Sequence, residues 1–167
     1  MAPREWWIDG SIARDTGGNL YVTWDSQRKG HDVAWLSSSA NGGTSWSSPV
    51  RVTSDRDNAP HITEVAGGFR GTAYVAWLSD SPACGYRLRV RTFSLFSGQL
   101  SSPVRASARC GRRHVWPGGI FGIAALPPQD LANGTWQLAL SWGSAVARRH
   151  RPPSQILSTV LTYPGAG

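Results

Sequence analysis

Apolar and polar residues alternate along this chain in short runs, and Gly, Asn, Asp, Ser or Pro closes almost every run. A period of two sends successive side chains to opposite faces of a strand. Residues 5–13 form the first such run, which ends at the turn Thr16-Gly17-Gly18-Asn19. Residues 20–24, 31–36 and 49–53 follow as three more strands, with the polar stretch 25–30 read as a loop. Four strands joined by tight turns make one antiparallel meander.

The pattern then recurs. Residues 61–65, 72–78, 86–93 and 103–107 predict a second meander, with 96–102 in the hairpin position. Residues 120–126, 135–142 and 155–163 predict three strands of a third. Two signatures mark these units as repeats. Ser47-Ser48-Pro49-Val50-Arg51 returns unchanged as Ser101-Ser102-Pro103-Val104-Arg105. Trp24, Trp77 and Trp142 stand at or next to the end of the second strand of each unit, 53 and 65 residues apart, the spacing of a repeat array. A Trp at the same place in every repeat reads as packing between repeats. The expected architecture is therefore all-β: consecutive four-stranded antiparallel meanders in one domain, 1–167, with units at about 6–54, 60–108 and 118–163.

Between the third and fourth strands of the first unit stands Ser39-Ala40-Asn41-Gly42-Gly43-Thr44-Ser45-Trp46. Asn-Gly-Gly between two strand-like runs is a hairpin signal, because such turns need backbone with positive φ. Read as Ser-x-Asn-x-Gly-x-Ser-Trp, the stretch resembles the Asp-box (BNR repeat) hairpin of the sialidase-like β-propeller superfamily, with Asn in the usual Asp position and Ser in the usual Thr position. The repeat pattern extends the resemblance over residues 6 to 163. It implies propeller blades, about three where the family closes a ring with six, and so either part of a propeller or one completed by self-association. It gives Ser39, Asn41, Gly43 and Trp46 a structural role at the outer rim.

The resemblance also implies glycoside hydrolase chemistry of the exo-sialidase type. There an arginine triad binds the sugar carboxylate, a Glu-activated Tyr is the nucleophile and an Asp is the acid/base. Asp25 and Asp32, flanking Arg28, occupy the segment where that Asp falls. The strand that carries the family's first arginine reads Trp7-Ile8-Asp9-Gly10-Ser11-Ile12-Ala13 here, without one. The only Glu residues are Glu5 and Glu64, and neither makes an evident partner for Tyr163. The expectation is accordingly a module that binds glycan or protein rather than a complete catalyst. A piece of an exo-sialidase is the alternative, and a basic-faced module binding a polyanion the third reading.

Composition changes this picture little. The formal net charge is +7, and Lys29 is the only Lys among 17 basic residues. Such replacement of Lys by Arg fits a GC-rich coding bias, and no nucleic-acid module surrounds the basic loop Arg148-Arg149-His150-Arg151, so nucleic acid is not the expected partner. Arg87, Arg89 and Arg91 share one face of a strand and could bind an anion or simply face solvent. Trp116, in Trp116-Pro117-Gly118-Gly119, is a candidate to line a ligand cleft. Cys84 and Cys110 lack the spacing of a zinc site, so no metal and no cofactor is expected. As a disulfide they would close a loop worth ~3 kcal/mol. No run of 18 apolar residues spans a membrane, and the first residues lack the apolar core of a signal peptide. The resemblance implies an extracellular or cell-surface parent protein, with a cytoplasmic location left open.

Overall fold

The computed structural model describes residues 10–28, 31–54, 58–81, 85–107, 121–127, 135–145 and 154–163. These form twelve β-strands in three sheets. The first sheet runs β1 (Gly10–Arg14), β2 (Leu20–Arg28), β3 (His31–Ser39), β4 (Val50–Arg51), in that order. The second runs β5 (Asn58–Gly67), β6 (Thr72–Ser81), β7 (Gly85–Ser94), β8 (Gln99–Leu100), and β9 (Val104–Arg105) also pairs with β7. The third is β10 (Phe121–Leu126), β11 (Trp136–Ala145), β12 (Ser154–Tyr163). Every pairing is antiparallel. The predicted all-β succession of meanders is what the chain forms.

The three sheets stack face to face. Directly opposed residues of an antiparallel pair share a face. Tyr21, Ala34, Leu36 and Val52 of the first sheet therefore meet Val65, Ala73, Val75, Trp77 and Phe93 of the second in one core. The opposite face of the second sheet, carrying Tyr74, Ala76, Leu78, Leu88 and Val90, meets Trp136, Leu138, Leu140 and Trp142 of the third. The middle sheet is thus covered on both sides. This explains why β6 reads Ala73-Tyr74-Val75-Ala76-Trp77-Leu78 with no polar alternation, as strands buried on both faces do. A fully buried side chain of this size contributes about 1.5–3 kcal/mol. The closest sheet-to-sheet backbone approaches among the described residues all involve β5, which touches β1, β2 and β3 on one side and β10 on the other. The first strand of the second sheet therefore lies nearest to both of its neighbours.

Several strands run further than alternation predicts. β2 continues through Asp25 to Arg28 where the polar stretch reads as a loop, because its ladder with β3 extends as far as Arg28 opposite His31. β6 extends to Ser81 and β11 to Ala145 in the same way. β3 extends to Ser39, and its serines are buried because they are bonded: Ser37 Oγ donates to the Ser47 carbonyl at 2.8 Å, and the Ser38 N–H to Ser47 Oγ at 3.1 Å.

The hairpin that follows is tied by Ser39 and Asn41. Asn41 Oδ1 accepts from Ser39 Oγ and from the Ser45 N–H, both at 2.9 Å, and Asn41 Nδ2 donates to Ser45 Oγ at 2.8 Å. Ser39 Oγ also accepts from the Gly43 N–H at 2.9 Å, with Gly43 at φ 89°. Trp46 stays 42% exposed. Because Asn41 is solvent-exposed, Asn41→Ala is expected to cost only about 1 kcal/mol, the net worth of a few exposed hydrogen bonds. A denaturant midpoint measurement checks this.

Candidate functional site

The candidate acidic residues lie on the seam between the first and second sheets. Asp25 stands opposite Ala34 and Asp32 opposite Gln27, so both occupy the face of the first sheet that looks onto the second. Asp25 is buried, at 8% exposure, and Thr63 Oγ1 of β5 donates a hydrogen bond to its carboxylate. Thr23 Oγ1 donates to the Thr63 carbonyl at 3.4 Å, which holds the same threonine from the first sheet. Asp32 is half-buried, one step nearer the β2–β3 turn. Arg28 lies opposite His31 at the end of that ladder.

Across the seam, β5, β6 and β7 supply the facing groups. Thr63 and Arg89 both lie opposite Trp77, and Arg87 lies opposite Ser79, so these five share the face turned toward Asp25 and Asp32. The arginines are half-buried. Trp77 and Ser79 are buried, and neither Trp77 Nε1 nor Ser79 Oγ has a hydrogen-bond partner among the described residues. The third arginine of the stripe has a structural post. Arg91 Nη1 donates to the Val52 carbonyl of the first sheet and Nε to the Ser101 carbonyl, both at 2.6 Å. The stripe thus faces the neighbouring sheet rather than open solvent.

Other candidates separate from this seam. Tyr163 of β12 packs in the second seam, its ring centroid 5.0 Å from that of Tyr74. Burial raises the Tyr163 phenol, and burial with the adjacent Tyr163 pushes Tyr74 up to about 12. Both are therefore held in their neutral forms. Among the described residues no group of three or more His, Cys, Asp or Glu side chains could hold a metal ion, and no helix is long and apolar enough to cross a membrane. Trp116, Cys84 and Cys110 lie outside the described residues.

The most heavily bonded carboxylate is one that strand and motif reading passes over. Asp15, 5% exposed, sits in the β1–β2 turn. Its Oδ1 accepts from the N–H groups of Gly17 (2.8 Å) and Asn19 (3.0 Å). Its Oδ2 accepts from Asn19 Nδ2 and Tyr21 Oη, both at 2.8 Å, and from the Gly71 N–H at 2.6 Å. Gly71 belongs to the β5–β6 turn of the second sheet, so one carboxylate clamps the corresponding turns of two sheets. Burial acts to raise the Asp15 pKa, but the bonds from Asn19, Gly71 and Tyr21 outweigh it and hold the carboxyl below the ordinary value of 3.8. Burial and then the hydrogen bond and charge of Asp15 push the Tyr21 phenol upward, which keeps it a donor. An Asp before Thr-Gly-Gly-Asn is the available local signal, since Asp side chains bond the backbone two residues on.

No known family model matches the chain, and no curated protein sequence does. Its fold is similar to that of a solved protein of unknown function from Dyadobacter fermentans DSM 18053. The two superpose with a TM-score of 0.51 at 12% identity, over 93% of this chain and 39% of the other. This chain therefore spans well under half the length of that neighbour, and the likeness is one of fold alone.

Proposed function

We propose that this chain is an arc of sialidase-like propeller blades, from an extracellular or cell-surface protein, that binds glycan at the seam between its first two sheets. One observation carries the reading. The half-buried carboxylate of Asp32 stands on the face of the first sheet that looks onto the half-buried Arg87 and Arg89 of the second. Carboxylates accept from sugar hydroxyls, and guanidinium groups donate to sugar oxygens and carboxylates. Such a mixture of acceptors and donors suits a polyhydroxylated ligand better than a polyanion. Arg91 is committed to two backbone carbonyls, which weakens the reading of the stripe as a polyanion track.

Binding is favoured over hydrolysis. A general acid/base needs a carboxyl that can reach substrate and exchange a proton. Asp25 instead receives the Thr63 hydroxyl between two packed sheets. A tyrosine nucleophile needs a base and a depressed pKa, whereas burial moves Tyr163 the other way.

The test is retention on a glycan array together with a fluorogenic sialoside assay on the same preparation. The expected result is glycan retention that falls at least tenfold in Asp32→Ala and in Arg87→Ala, with no turnover. A tenfold loss is about 1.4 kcal/mol, the scale of one charge-assisted hydrogen bond. Turnover abolished by Asp25→Asn and by Asp32→Asn would restore the hydrolase reading. Salt-steep retention of random DNA with no glycan retained would replace it with the polyanion reading.

A further inference from the structure

Two of the three sheets close the outer edge of their third strand in the same way, bond for bond. In the first, the Ser47 N–H donates to the Ser38 carbonyl at 2.8 Å, and Ser47 Oγ accepts from the Ser38 N–H at 3.1 Å. In the second, Ser101 makes the same two bonds to Thr92, at 2.8 and 3.0 Å. Val50 and Val104 then pair with Leu36 and Val90. One residue beyond Arg51 and Arg105, the Val52 N–H donates to the Ala34 carbonyl at 2.8 Å and the Ala106 N–H to the Leu88 carbonyl at 2.9 Å. Both of these apolar side chains are buried. Each strand ends on a hydroxyl: Thr53 Oγ1 accepts from the Ala34 N–H and Ser107 Oγ from the Leu88 N–H, both at 3.1 Å. Pro49 and Pro103 lack an N–H, which suits a strand at the edge of a sheet. The recurring string Ser-Ser-Pro-Val-Arg, followed by an apolar residue and then Thr or Ser, is therefore one docking strand used twice.

The third sheet has the same edge. Among the described residues β12 pairs on one side only, with β11. Its register follows from the repeat tryptophans, since Trp24, Trp77 and Trp142 stand opposite Trp35, Arg89 and Leu157. Counted from these, Ala34, Leu36 and Ser38 of β3, and Leu88, Val90 and Thr92 of β7, correspond to Ile156, Ser158 and Val160 of β12. In a strand of given direction, the face a residue takes fixes the edge to which its N–H and C=O point, because both alternate with period two. The sheets stack in the same sense, with Trp77 in the core shared with the first sheet and Trp142 in the core shared with the second. Ile156, Ser158 and Val160 therefore turn their N–H and C=O groups away from β11, along an edge that can template another strand.

We propose that the outer edge of β12, at Ile156, Ser158 and Val160, is a docking site for an extended peptide segment reading Ser, any residue, Pro, Val, Arg, an apolar residue, then Ser or Thr, which adds antiparallel as a fourth strand. The chemistry of the occupant is set by the two copies already seated on β3 and β7. Its leading Ser hydroxyl accepts from the Val160 N–H, its Val pairs with Ser158, and its closing hydroxyl accepts from the Ile156 N–H. The main chain supplies the attraction, as in strand addition generally, and the two hydroxyl positions set the register. The same chemistry serves a segment joined to this chain and one carried by a separate protein. This proposal goes beyond the glycan reading and does not depend on it.

Amide hydrogen exchange read by NMR tests it in three samples: the chain alone, the chain with the free peptide Ser-Ser-Pro-Val-Arg-Val-Thr, and the chain with that peptide joined to its carboxyl end by a short Gly/Ser linker. Joining raises the effective concentration to about millimolar, which offsets the weak binding of so short a strand. In the chain alone, the amides of Ile156, Ser158 and Val160 are expected to exchange fast, and those of Leu157, Thr159 and Leu161, which face β11, slowly. With the joined strand the first three are expected to slow at least ~10-fold. A control tail with Ala for its first Ser and closing Thr, and Pro for both Val, is expected to leave them fast. Slowing by the free peptide as well supports the site and assigns it to a separate partner. Slowing by the joined strand alone supports the site and assigns it to a segment of the same polypeptide. Amides already slow in the chain alone overturn the proposal. So do amides that neither form of the strand slows, and so does equal slowing by the control tail.

Discussion

Asp15→Ala is expected to cost about 3 kcal/mol or more of folding stability, read from the denaturant midpoint at neutral pH. The substitution removes the acceptor for five hydrogen bonds at once. The part-buried amides around Gly17 and Asn19 can turn to water. Tyr21 Oη and the Gly71 N–H are buried and cannot, and an unpartnered buried donor costs about 1–3 kcal/mol. Tyr21→Phe removes one donor and leaves the carboxylate four, so its cost should be nearer 1 kcal/mol. Asp15→Asn preserves the shape but presents an amide NH2 to groups that are themselves donors, and should fall between the two.

The same clamp sets an acid limb. The folded-state carboxyl titrates below its ordinary value of 3.8. Its contribution is therefore fully present above that value and is lost as pH falls below it and through the folded-state pKa. The wild type should lose stability in that window, and Asp15→Asn should show a flatter profile there. An identical acid limb in both proteins would remove Asp15 as its cause.

Asp15 also shows where sequence reading stops. The turn after it is legible, because Thr16-Gly17-Gly18-Asn19 is turn chemistry. Its reach to Gly71 is not, since the two are 56 residues apart and nothing local marks the partner. The three meanders are legible for the opposite reason. Strand alternation and turn residues are local signals, and the Trp24, Trp77, Trp142 register repeats them. Strand ends are less so. Asp25-Ser26-Gln27-Arg28 has the composition of a loop, and it is a strand because β3 pairs with it and Thr63 satisfies Asp25. In the candidate site, period two places Arg87, Arg89 and Arg91 on one face. Which sheet that face meets depends on stacking, so Arg91 bonding the Val52 carbonyl, 39 residues away, is invisible in the sequence.

Gly67→Ala is the second large effect, and its cause is proximity alone. The residue lies in β5 without a left-handed φ, so the usual reason for a glycine is absent. A methyl group there would stand 2.1 Å from the Arg14 carbonyl oxygen, 2.3 Å from its carbon and 2.6 Å from the Asp15 nitrogen. These are backbone atoms of the neighbouring sheet and cannot rotate aside. The two sheets must separate at this point, which pulls Gly71 off Asp15 and undoes the adjoining bond from the Thr16 N–H to the Gly68 carbonyl. Overpacking of this kind costs about 1–3 kcal/mol before the lost hydrogen bonds are counted, so a loss of about 3 kcal/mol or more is expected. Gly42→Ala is the control: φ is +67° with nothing within 4 Å, so only left-handed backbone strain of about 1–2 kcal/mol applies. If the close approach and the carboxylate form a single joint, Gly67→Ala in the Asp15→Ala background should cost clearly less than in the wild type, because the bond it breaks is already gone. Simple additivity of the two losses in a double-mutant cycle would separate the joint into two independent contacts.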